Sequence, residues 1–298
     1  MSANSSVSLE KLNAVGPKEF EAALGTIYEH SPWVAQAATA GRPFGSLAAL
    51  HECMSRTVLS ADDSRKLALL NAHPDLAGKA ARAGAITADS KIEQRGAGLD
   101  HLTEKEFSDF QSFNERYRKT FGFPFIICVL RHTKDSVLRH LERRAKNTLP
   151  VERETAVKEV IRIAALRLDR HVSAKDRLKV TGRLSTHALD AYSGRPAHGV
   201  AVELRELSNS GTDSLIATAV TNADGRTDEP LIHDRPVPIG RYELRFDVAG
   251  YFARLGVVLP DPPFLDVVPL RFSVADPEGH YHVPLLATPW SYSTYRGS

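Results

Sequence analysis

Cysteine is scarce in this sequence, and long apolar runs are absent. The only two cysteines are Cys53 and Cys128, which lie in apolar surroundings far apart along the chain. Free buried thiols in a reducing compartment are therefore expected rather than a disulfide, and no zinc-type cysteine spacing occurs. The longest apolar run, over residues 123–130, is far shorter than the ~20 residues that a membrane helix needs. The sequence thus excludes a disulfide scaffold and predicts no membrane partner.

A strong charge of one sign is also lacking. Lys and Arg number 38 against 36 Asp and Glu, which leaves +2 and gives no electrostatic reason to expect a nucleic-acid partner. The first residues show no positive stretch followed by an apolar one, and the sequence ends in Arg296-Gly297-Ser298 rather than a Ser-Lys-Leu signal. We therefore expect a cytoplasmic protein. A length of 298 residues predicts about two domains.

What the sequence does contain is two kinds of hydrophobic periodicity. Up to about residue 172 apolar residues recur at helical steps, as in the stretch after the capping-box sequence 103–106 and in the helix that follows Pro150. After residue 183 two stretches alternate at strand steps, first Val200, Val202 and Leu204 and then Tyr242, Leu244, Phe246 and Val248, and turn sequences separate short strands. We predict a multidomain fold, with an all-α helical bundle over 1–172, a polar linker over 173–183 and a β-sandwich over 184–298.

The β half carries histidines and an arginine at positions that suggest chemistry. His187 lies in the strand sequence STHALD, Arg226 follows the turn Asn-Ala-Asp-Gly, and strand alternation places His280 and His282 on one face. A single strand histidine is typically a half-exposed residue with one hydrogen bond. A zinc site formed by His187, His280 and His282 is a further alternative, although no carboxylate or cysteine stands at ligand spacing.

These motifs resemble those of a known family. Residues 184–298 resemble 5-hydroxyisourate hydrolase, the transthyretin-related enzyme of urate breakdown, through STHALD, the DGR turn, HYHVPLL and the terminal YRGS. The resemblance implies a transthyretin-like sandwich in which His187, Arg226 and His282 are catalytic, while Tyr295 and the tail to Ser298 close the pocket. It assigns no catalytic role to His280 or His198.

The residue types suit that reaction. Hydrolysis of the lactam needs an activated water and a stabilised oxyanion. Histidine can take the proton of water at neutral pH, and arginine offers a fixed fork of donors to the developing charge. Because the resemblance places no serine or cysteine nucleophile, direct attack by water is expected.

The helical half contains three polar positions of interest. His73 precedes Pro74 and should lie at a helix exit. Ser90 and Glu93 have the spacing of a capping box, so they have a purely structural interpretation beside a functional one. Arg167 falls on the apolar stripe of its helix, where it must pair, reach into a site or extend to the surface.

These segments resemble a second family, 2-oxo-4-hydroxy-4-carboxy-5-ureidoimidazoline (OHCU) decarboxylase. The resemblance covers about 9–172, through HPDL at 73–76, the SxxEQ segment at 90–94 and FGFPFIICV at 121–129. It implies that His73 is the general acid/base, with Glu93 and Arg167 as companions, and that neither a cofactor nor a metal is needed. It also implies a substrate lining of Pro74, Ser90, Lys91, Ile92, Glu93, Gln94, Phe125, Ile126, Ile127, Cys128 and Val129.

The two resemblances describe consecutive steps of one pathway. Together they predict a bifunctional enzyme that acts on two small molecules, 5-hydroxyisourate and then OHCU, and releases (S)-allantoin. They also imply a homo-oligomer that forms through both domains. The alternative is a non-catalytic transthyretin-like binding module joined to a helical interaction domain.

Overall fold

A computed structural model describes residues 6–78, 81, 83, 85–99, 102–209, 211 and 213–297. The chain forms two compact units, one over 1–130 and 137–180 and the other over 131–136 and 181–298. The first is helical and the second is built from β-sheets, so the predicted fold class is confirmed. Among the described residues, no helix has the length and apolarity that crossing a membrane requires.

The helices of the first half follow the predicted periodicity. They are α1 (Leu9–Ala14), α2 (Pro17–Leu24), α3 (Trp33–Ala38), α4 (Leu47–Ser60), α5 (Asp63–Asn71), α6 (Ala88–Gly96), α7 (Glu104–Phe121), α8 (Lys134–Arg144) and α9 (Leu149–His171), with 3₁₀ turns at Thr39–Gly41 and Val129–Arg131. Thr103 and Glu106 exchange the hydrogen bonds of a capping box at the start of α7, which confirms that prediction. Each satisfies an amide that would otherwise lack a partner.

Helix α9 lies at the centre of the helical unit. Its buried stripe includes Val160, Ala164 and Leu168, and it packs against α4, α5 and α7. Burial of a valine or leucine side chain contributes about 1.5–3 kcal/mol, so Val160 and Leu168 add substantially to the unit's stability. Both cysteines are free thiols as predicted, although Cys53 is partly exposed and only Cys128 is buried.

Short strands and polar contacts tie the end of the unit to its beginning. Strand β1 (Val7–Ser8) pairs in parallel with β2 (Val172–Ser173). The carboxylate of Asp176 accepts hydrogen bonds from the amides of Leu47 and Ala48 at the start of α4, at 3.0 and 3.2 Å. The first part of the segment 173–183 therefore contacts the helical unit.

The second unit contains two packed sheets. Its strands are β3 (Gly182–Asp190), β4 (Arg195–Pro196), β5 (Ala201–Leu207), β6 (Asp213–Val220), β7 (Ile232–Arg235), β8 (Gly240–Asp247), β9 (Val267–Val274), β10 (His280–Ala287) and β11 (Tyr292–Thr294). One sheet has the order β11-β10-β3-β4, with β7 also paired to β3, and the other has the order β6-β5-β8-β9. Strands β3 and β10 are parallel neighbours, which places their side chains next to each other.

The predicted alternation forms the core of the sandwich. Val202 and Leu204 of β5 are buried, as are Leu244 and Phe246 of β8. The alternation ends one residue earlier than expected, because Val248 begins a helix, α10 (Val248–Arg254). The carboxylate of Asp247 accepts a hydrogen bond from the Gly250 amide at 2.9 Å and so caps this helix.

Candidate active sites

A cavity that opens to solvent lies within the helical unit, and the space free of atoms in it, open solvent included, is about 350 Å³. It gathers segments that are far apart in sequence: the exit of α5, one face of α6, the extended segment before residue 129 and the centre of α9. The residues that line it are His73, Pro74, Leu76, Ser90, Glu93, Gln94, Phe125, Ile126, Ile127, Val129, Ile163 and Arg167.

His73 lies just beyond the end of α5, at the helix exit that Pro74 predicts. Its side chain is buried, and Nδ1 lies 3.0 Å from the carbonyl oxygen of Leu69. Since a carbonyl only accepts, Nδ1 carries the proton and Nε2 is left as an acceptor. Burial lowers the pKa of His73 to about 4, against the opposing influence of the Leu69 hydrogen bond. The imidazole is therefore neutral at pH 7.

Arg167 is buried in the wall of this cavity, with 1% of its surface exposed. Its Nε and Nη2 donate to the two carboxylate oxygens of Glu93 at 2.7 and 2.8 Å, and its Nη1 donates to Glu29 at 2.7 Å. Such paired bonds are the geometry in which a buried guanidinium is stable. The surface-directed alternative for Arg167 is therefore wrong, and the paired alternative holds.

Ser90 and Glu93 do not form a capping box. Thr87 caps α6 instead, because its hydroxyl accepts from the Ser90 amide at 3.3 Å. Ser90 and Glu93 thus lie inside the helix, where positions three and four apart share a face. On that face Gln94 accepts a hydrogen bond from the Ala77 amide at 3.0 Å, which fixes the turn that follows the HPDL sequence.

Glu29 is a further residue of this cluster that the sequence analysis did not identify. It lies between α2 and α3, is 2% exposed, and accepts a hydrogen bond from the hydroxyl of Thr87 at 2.7 Å and another from that of Ser90 at 3.2 Å. Burial alone would raise the pKa of Glu29, but the charge of Arg167 and the Thr87 hydrogen bond hold it below its usual value. The only local signal is a Glu-His pair between two largely apolar helices.

The second carboxylate on Arg167 behaves differently. Burial raises the pKa of Glu93 above its usual value, and the hydrogen bonds and charge of Arg167 oppose this only in part. For Arg167 itself, burial would lower the pKa, but the two carboxylates raise it. Glu93 is therefore the member of the cluster that takes up a proton most easily.

Some predicted lining residues lie elsewhere. Lys91 and Ile92 are exposed on α6 and do not line the cavity, and the Cys128 side chain does not line it either. The Cys128 amide instead donates to Glu159 at 2.9 Å, while Arg144 donates to the Ile126 carbonyl at 2.7 Å. Buried charged groups thus hold this part of the cavity wall at its backbone.

In the β unit, three predicted residues meet on one side of the sheet. His187 of β3 lies beside His282 of β10, with ring centroids 6.4 Å apart. Arg226 forms a backbone bridge with His187. Gly225, with φ +73°, makes this approach possible, since a Cβ there would lie 2.3 Å from the Ala188 carbonyl oxygen. Arg226 is exposed, and the two histidines are half-buried.

The electrostatics of this group keep both imidazoles neutral. Burial and the nearby charge of Arg226 lower the pKa of His187 and of His282. Among the described residues, His187 Nε2 is buried without a hydrogen-bond partner. Two neutral rings beside a guanidinium provide proton acceptors and a stabilising cation on one surface.

Ser185 links two histidines of β10. Its hydroxyl lies 3.2 Å from Nε2 of His280 and 3.0 Å from Nδ1 of His282, so His280 and His282 share a face as predicted. Because a hydroxyl has one proton, it can donate to only one of them. Within the described part of the chain, no three His, Cys, Asp or Glu side chains are grouped as a metal site requires.

The C-terminal tail packs against His282. The Gly297 amide donates to the His282 carbonyl at 2.9 Å, and a Cβ on Gly297 would lie 2.6 Å from the His282 ring. The guanidinium of Arg296 lies 5.1 Å from the ring centroid of Tyr281. The Tyr295 side chain is 57% exposed, and Ser298 lies outside the described residues.

Comparison with known proteins gives two family matches. Residues 13–169 match the family described as OHCU decarboxylase, and residues 184–297 match the HIUase/transthyretin family.

A 5-hydroxyisourate hydrolase of Deinococcus radiodurans is 57% identical over 115 residues, which are 39% of this chain and 95% of that protein. An OHCU decarboxylase of Haloferax volcanii is 40% identical over 169 residues, 57% of this chain and 98% of that protein. A crystal structure of (S)-allantoin synthase is 36% identical with a TM-score of 0.53, and the match covers 98% of this chain and all of that one.

Proposed function

Because the chain belongs to the OHCU decarboxylase family over residues 13–169 and to the HIUase/transthyretin family over residues 184–297, we propose that it is a two-step enzyme of urate breakdown. The β unit hydrolyses 5-hydroxyisourate to OHCU, and the helical unit decarboxylates OHCU to (S)-allantoin. The observation that carries the proposal is that each unit gathers, in one place, the residues that its family motifs separate in sequence.

For hydrolysis, we assign proton transfer to the two neutral histidines. His187 Nε2, which has no hydrogen-bond partner among the described residues, accepts the proton of the attacking water. Arg226 stabilises the oxyanion that forms on the ring carbonyl. His282 orients the water and is itself held by Ser185 and by the packing of Gly297. Tyr295 and Ser298 are the tail residues that we assign to the substrate.

For decarboxylation, the cavity of the helical unit holds the OHCU anion. The C–C bond to the carboxylate breaks, its electron pair passes into the imidazoline ring, CO₂ leaves, and a proton adds to a ring carbon. His73 is the general acid/base, and Glu93 with Arg167 forms a charged part of the same cavity wall. Addition of the proton from one face only gives the (S) product. We assign the backbone of 125–129 and the side chains of Pro74, Ser90 and Gln94 to substrate contact.

We also propose a cytoplasmic homo-oligomer. The free thiols Cys53 and Cys128 suit a reducing compartment. The Arg226 side of the second site is open in a single chain, and exposed apolar residues such as Val220 at 60% and Tyr292 at 45% are available to a second copy. Sedimentation of the full chain would give its association state.

The test uses the full chain with urate and urate oxidase. Ultraviolet absorbance follows the decay of 5-hydroxyisourate and OHCU, and circular dichroism follows (S)-allantoin. Both decays should accelerate, and the allantoin should be optically active. A chain that leaves both decays at the spontaneous rate would instead be a binding module, and the proposal would fail.

A further inference from the structure

Arg167 is shared by two buried carboxylates, and this leaves the cluster with excess negative charge. Glu93 and Glu29 each approach the guanidinium at 2.7 Å, while His73 is neutral. With both carboxylates ionised, the three groups sum to one negative charge. The substrate of the proposed decarboxylation is itself a carboxylate. Its entry would therefore place two net negative charges in a buried site, which is costly at low dielectric.

The two glutamates occupy different sides of Arg167. Glu93 lines the cavity, whereas Glu29 does not and instead borders a separate groove. Glu29 is thus behind the guanidinium, held by Thr87 and Ser90, and it does not reach the substrate. Arg167 also has most of its donors engaged, so it is not a free anion receptor.

Among the residues that the structure describes, few other charged groups surround Glu29. Asp89 is paired with Arg170 at 2.5 Å and with His171 at 3.2 Å, so this group adds little net charge. The other titratable groups that face Glu29 are His30 beside it in the chain, Lys18 and Glu21 from α2, and His73 from the cavity. Of the described groups, the two glutamates on Arg167 therefore contribute the unbalanced charge at the cavity wall.

We propose that Glu29 is the permanent counter-ion of Arg167 and that Glu93 consequently takes up one proton when the substrate carboxylate binds. Glu29 is in this sense a positioning residue, and Glu93 is a catalytic one. The inference rests on the proposed decarboxylation, and it names the source of the proton that the reaction consumes.

The proton balance fits this division. When the C–C bond breaks, its electron pair stays with the imidazoline ring and CO₂ departs as a neutral molecule. One proton must then be added for each turnover. The proton that entered on Glu93 with the substrate supplies it, and His73, as the general acid/base, delivers it to the ring carbon. Glu93 then returns to its ionised form, in which it again binds Arg167. The raised pKa of Glu93 is consistent with this role.

The wild-type full chain gives the first test, through KM for OHCU as a function of pH. Uptake of one proton on binding makes KM rise about tenfold per pH unit between about pH 6.5 and 8.5. A KM that is independent of pH, in a chain that does decarboxylate OHCU, would overturn the inference and leave the proposed function intact. A chain without any decarboxylation would instead refute the proposed function.

The second test is Glu29→Gln, which keeps the shape and removes the charge. Arg167 is then balanced by Glu93 alone, so Glu93 stays ionised and binding needs no added proton. KM should become independent of pH, and kcat should fall by about 10² or more because the acid is lost. Glu29→Asp keeps the charge and should retain the tenfold slope, even at a reduced rate. Retention of the wild-type slope by Glu29→Gln would overturn the inference.

A matched control separates this effect from general loss of surface charge. Glu19 is an exposed residue of α2, and Glu19→Gln should leave both the KM slope and kcat at the wild-type values. A Glu19→Gln chain that also lost the slope would show that bulk charge, not Glu29, sets it. If Glu29→Gln did not fold, the wild-type slope and Glu29→Asp would still decide the inference.

Discussion

At the scale of single residues, a buried neutral imidazole affects stability as well as catalysis. Unfolded His73 takes up a proton near pH 6.5, but burial delays this to about pH 4 in the folded chain. Between these values the unfolded state binds more protons, so stability falls as the pH is lowered from 6.5 to 4 and is unaffected by this group above 6.5. The full difference is on the order of 3 kcal/mol.

This predicts a smaller acid sensitivity for His73→Asn, whose side chain does not titrate. Urea unfolding of the helical unit at pH 7 and pH 5 would measure the loss in both chains. The wild type should lose more stability between these values than the variant does. Equal losses in the two chains would show that His73 has the same pKa in the folded and the unfolded state. Because the His73 side chain is buried, the substitution itself will also lower the stability at both pH values.

A second prediction at this scale concerns the β unit. Arg226→Ala and His187→Ala should each lower kcat/KM for 5-hydroxyisourate by at least about 10², the usual effect of losing one oxyanion or acid/base group. Decarboxylation of OHCU should be unchanged, since both residues lie in the other unit. His198→Ala is a suitable control, because nothing assigns this residue to the site. A similar loss of both activities would point to misfolding.

The partners of single residues are what the sequence predicts least well. Pro74 restricts its neighbour by local sterics, so the position of His73 was predictable. Arg167 could be recognised as an unusual charge on an apolar stripe, but Glu29 lies far away in sequence and no local pattern joins them. The capping-box alternative for Ser90 is wrong because the Ser90 amide, which Glu93 would accept from in such a box, donates to the Thr87 hydroxyl instead.

At the scale of elements, the turn before Arg226 depends on one glycine. Gly225→Ala combines an unfavourable φ of +73° with a Cβ that would meet the Ala188 carbonyl at 2.3 Å. Gly194 has nearly the same φ, +72°, but nothing within 4 Å of its Cβ position. Gly194→Ala should therefore cost about 1–2 kcal/mol from backbone strain alone.

We expect Gly225→Ala to lower both the stability of the β unit and its hydrolysis rate by more than Gly194→Ala does. It should destabilise the β unit by more than the control does, and it should lower the rate of 5-hydroxyisourate hydrolysis at least about tenfold by moving Arg226 away from His187. Thermal unfolding and the hydrolysis assay measure the two effects. Equal behaviour of the two variants would mean that the close backbone contact is unimportant.

Hydrophobic periodicity predicts some of these elements and not others. Strict alternation predicted β5 and β8 because one face of each is buried. It did not predict α10, which begins directly after Asp247, where the Asp247 carboxylate caps the helix by accepting a hydrogen bond from the Gly250 amide. Alternation also says nothing of which strands are neighbours, so the approach of His187 to His282 across the parallel pair β3–β10 required the structure.

At the scale of the whole molecule, the boundary between the units can be tested by truncation. A fragment that ends at residue 180 keeps Asp176 on the start of α4 and the ion pair between Arg177 and Asp169. A fragment that ends at residue 172 loses both, and half of the β1–β2 pair with them. The longer fragment should decarboxylate OHCU and unfold at a temperature several degrees higher. If the two fragments unfolded at the same temperature, the segment beyond 172 would not contribute to the stability of the helical unit.

The parallel pairing of β1 with β2 brings the two ends of the helical unit side by side. A unit whose ends are adjacent can be joined to a neighbouring domain at either end through the same region of its surface. The geometry of this unit therefore does not determine which of the two domains comes first in a fusion. The same proximity makes the unit a candidate for circular permutation, with Val7 and Ser173 bridged by a short loop and new ends opened elsewhere.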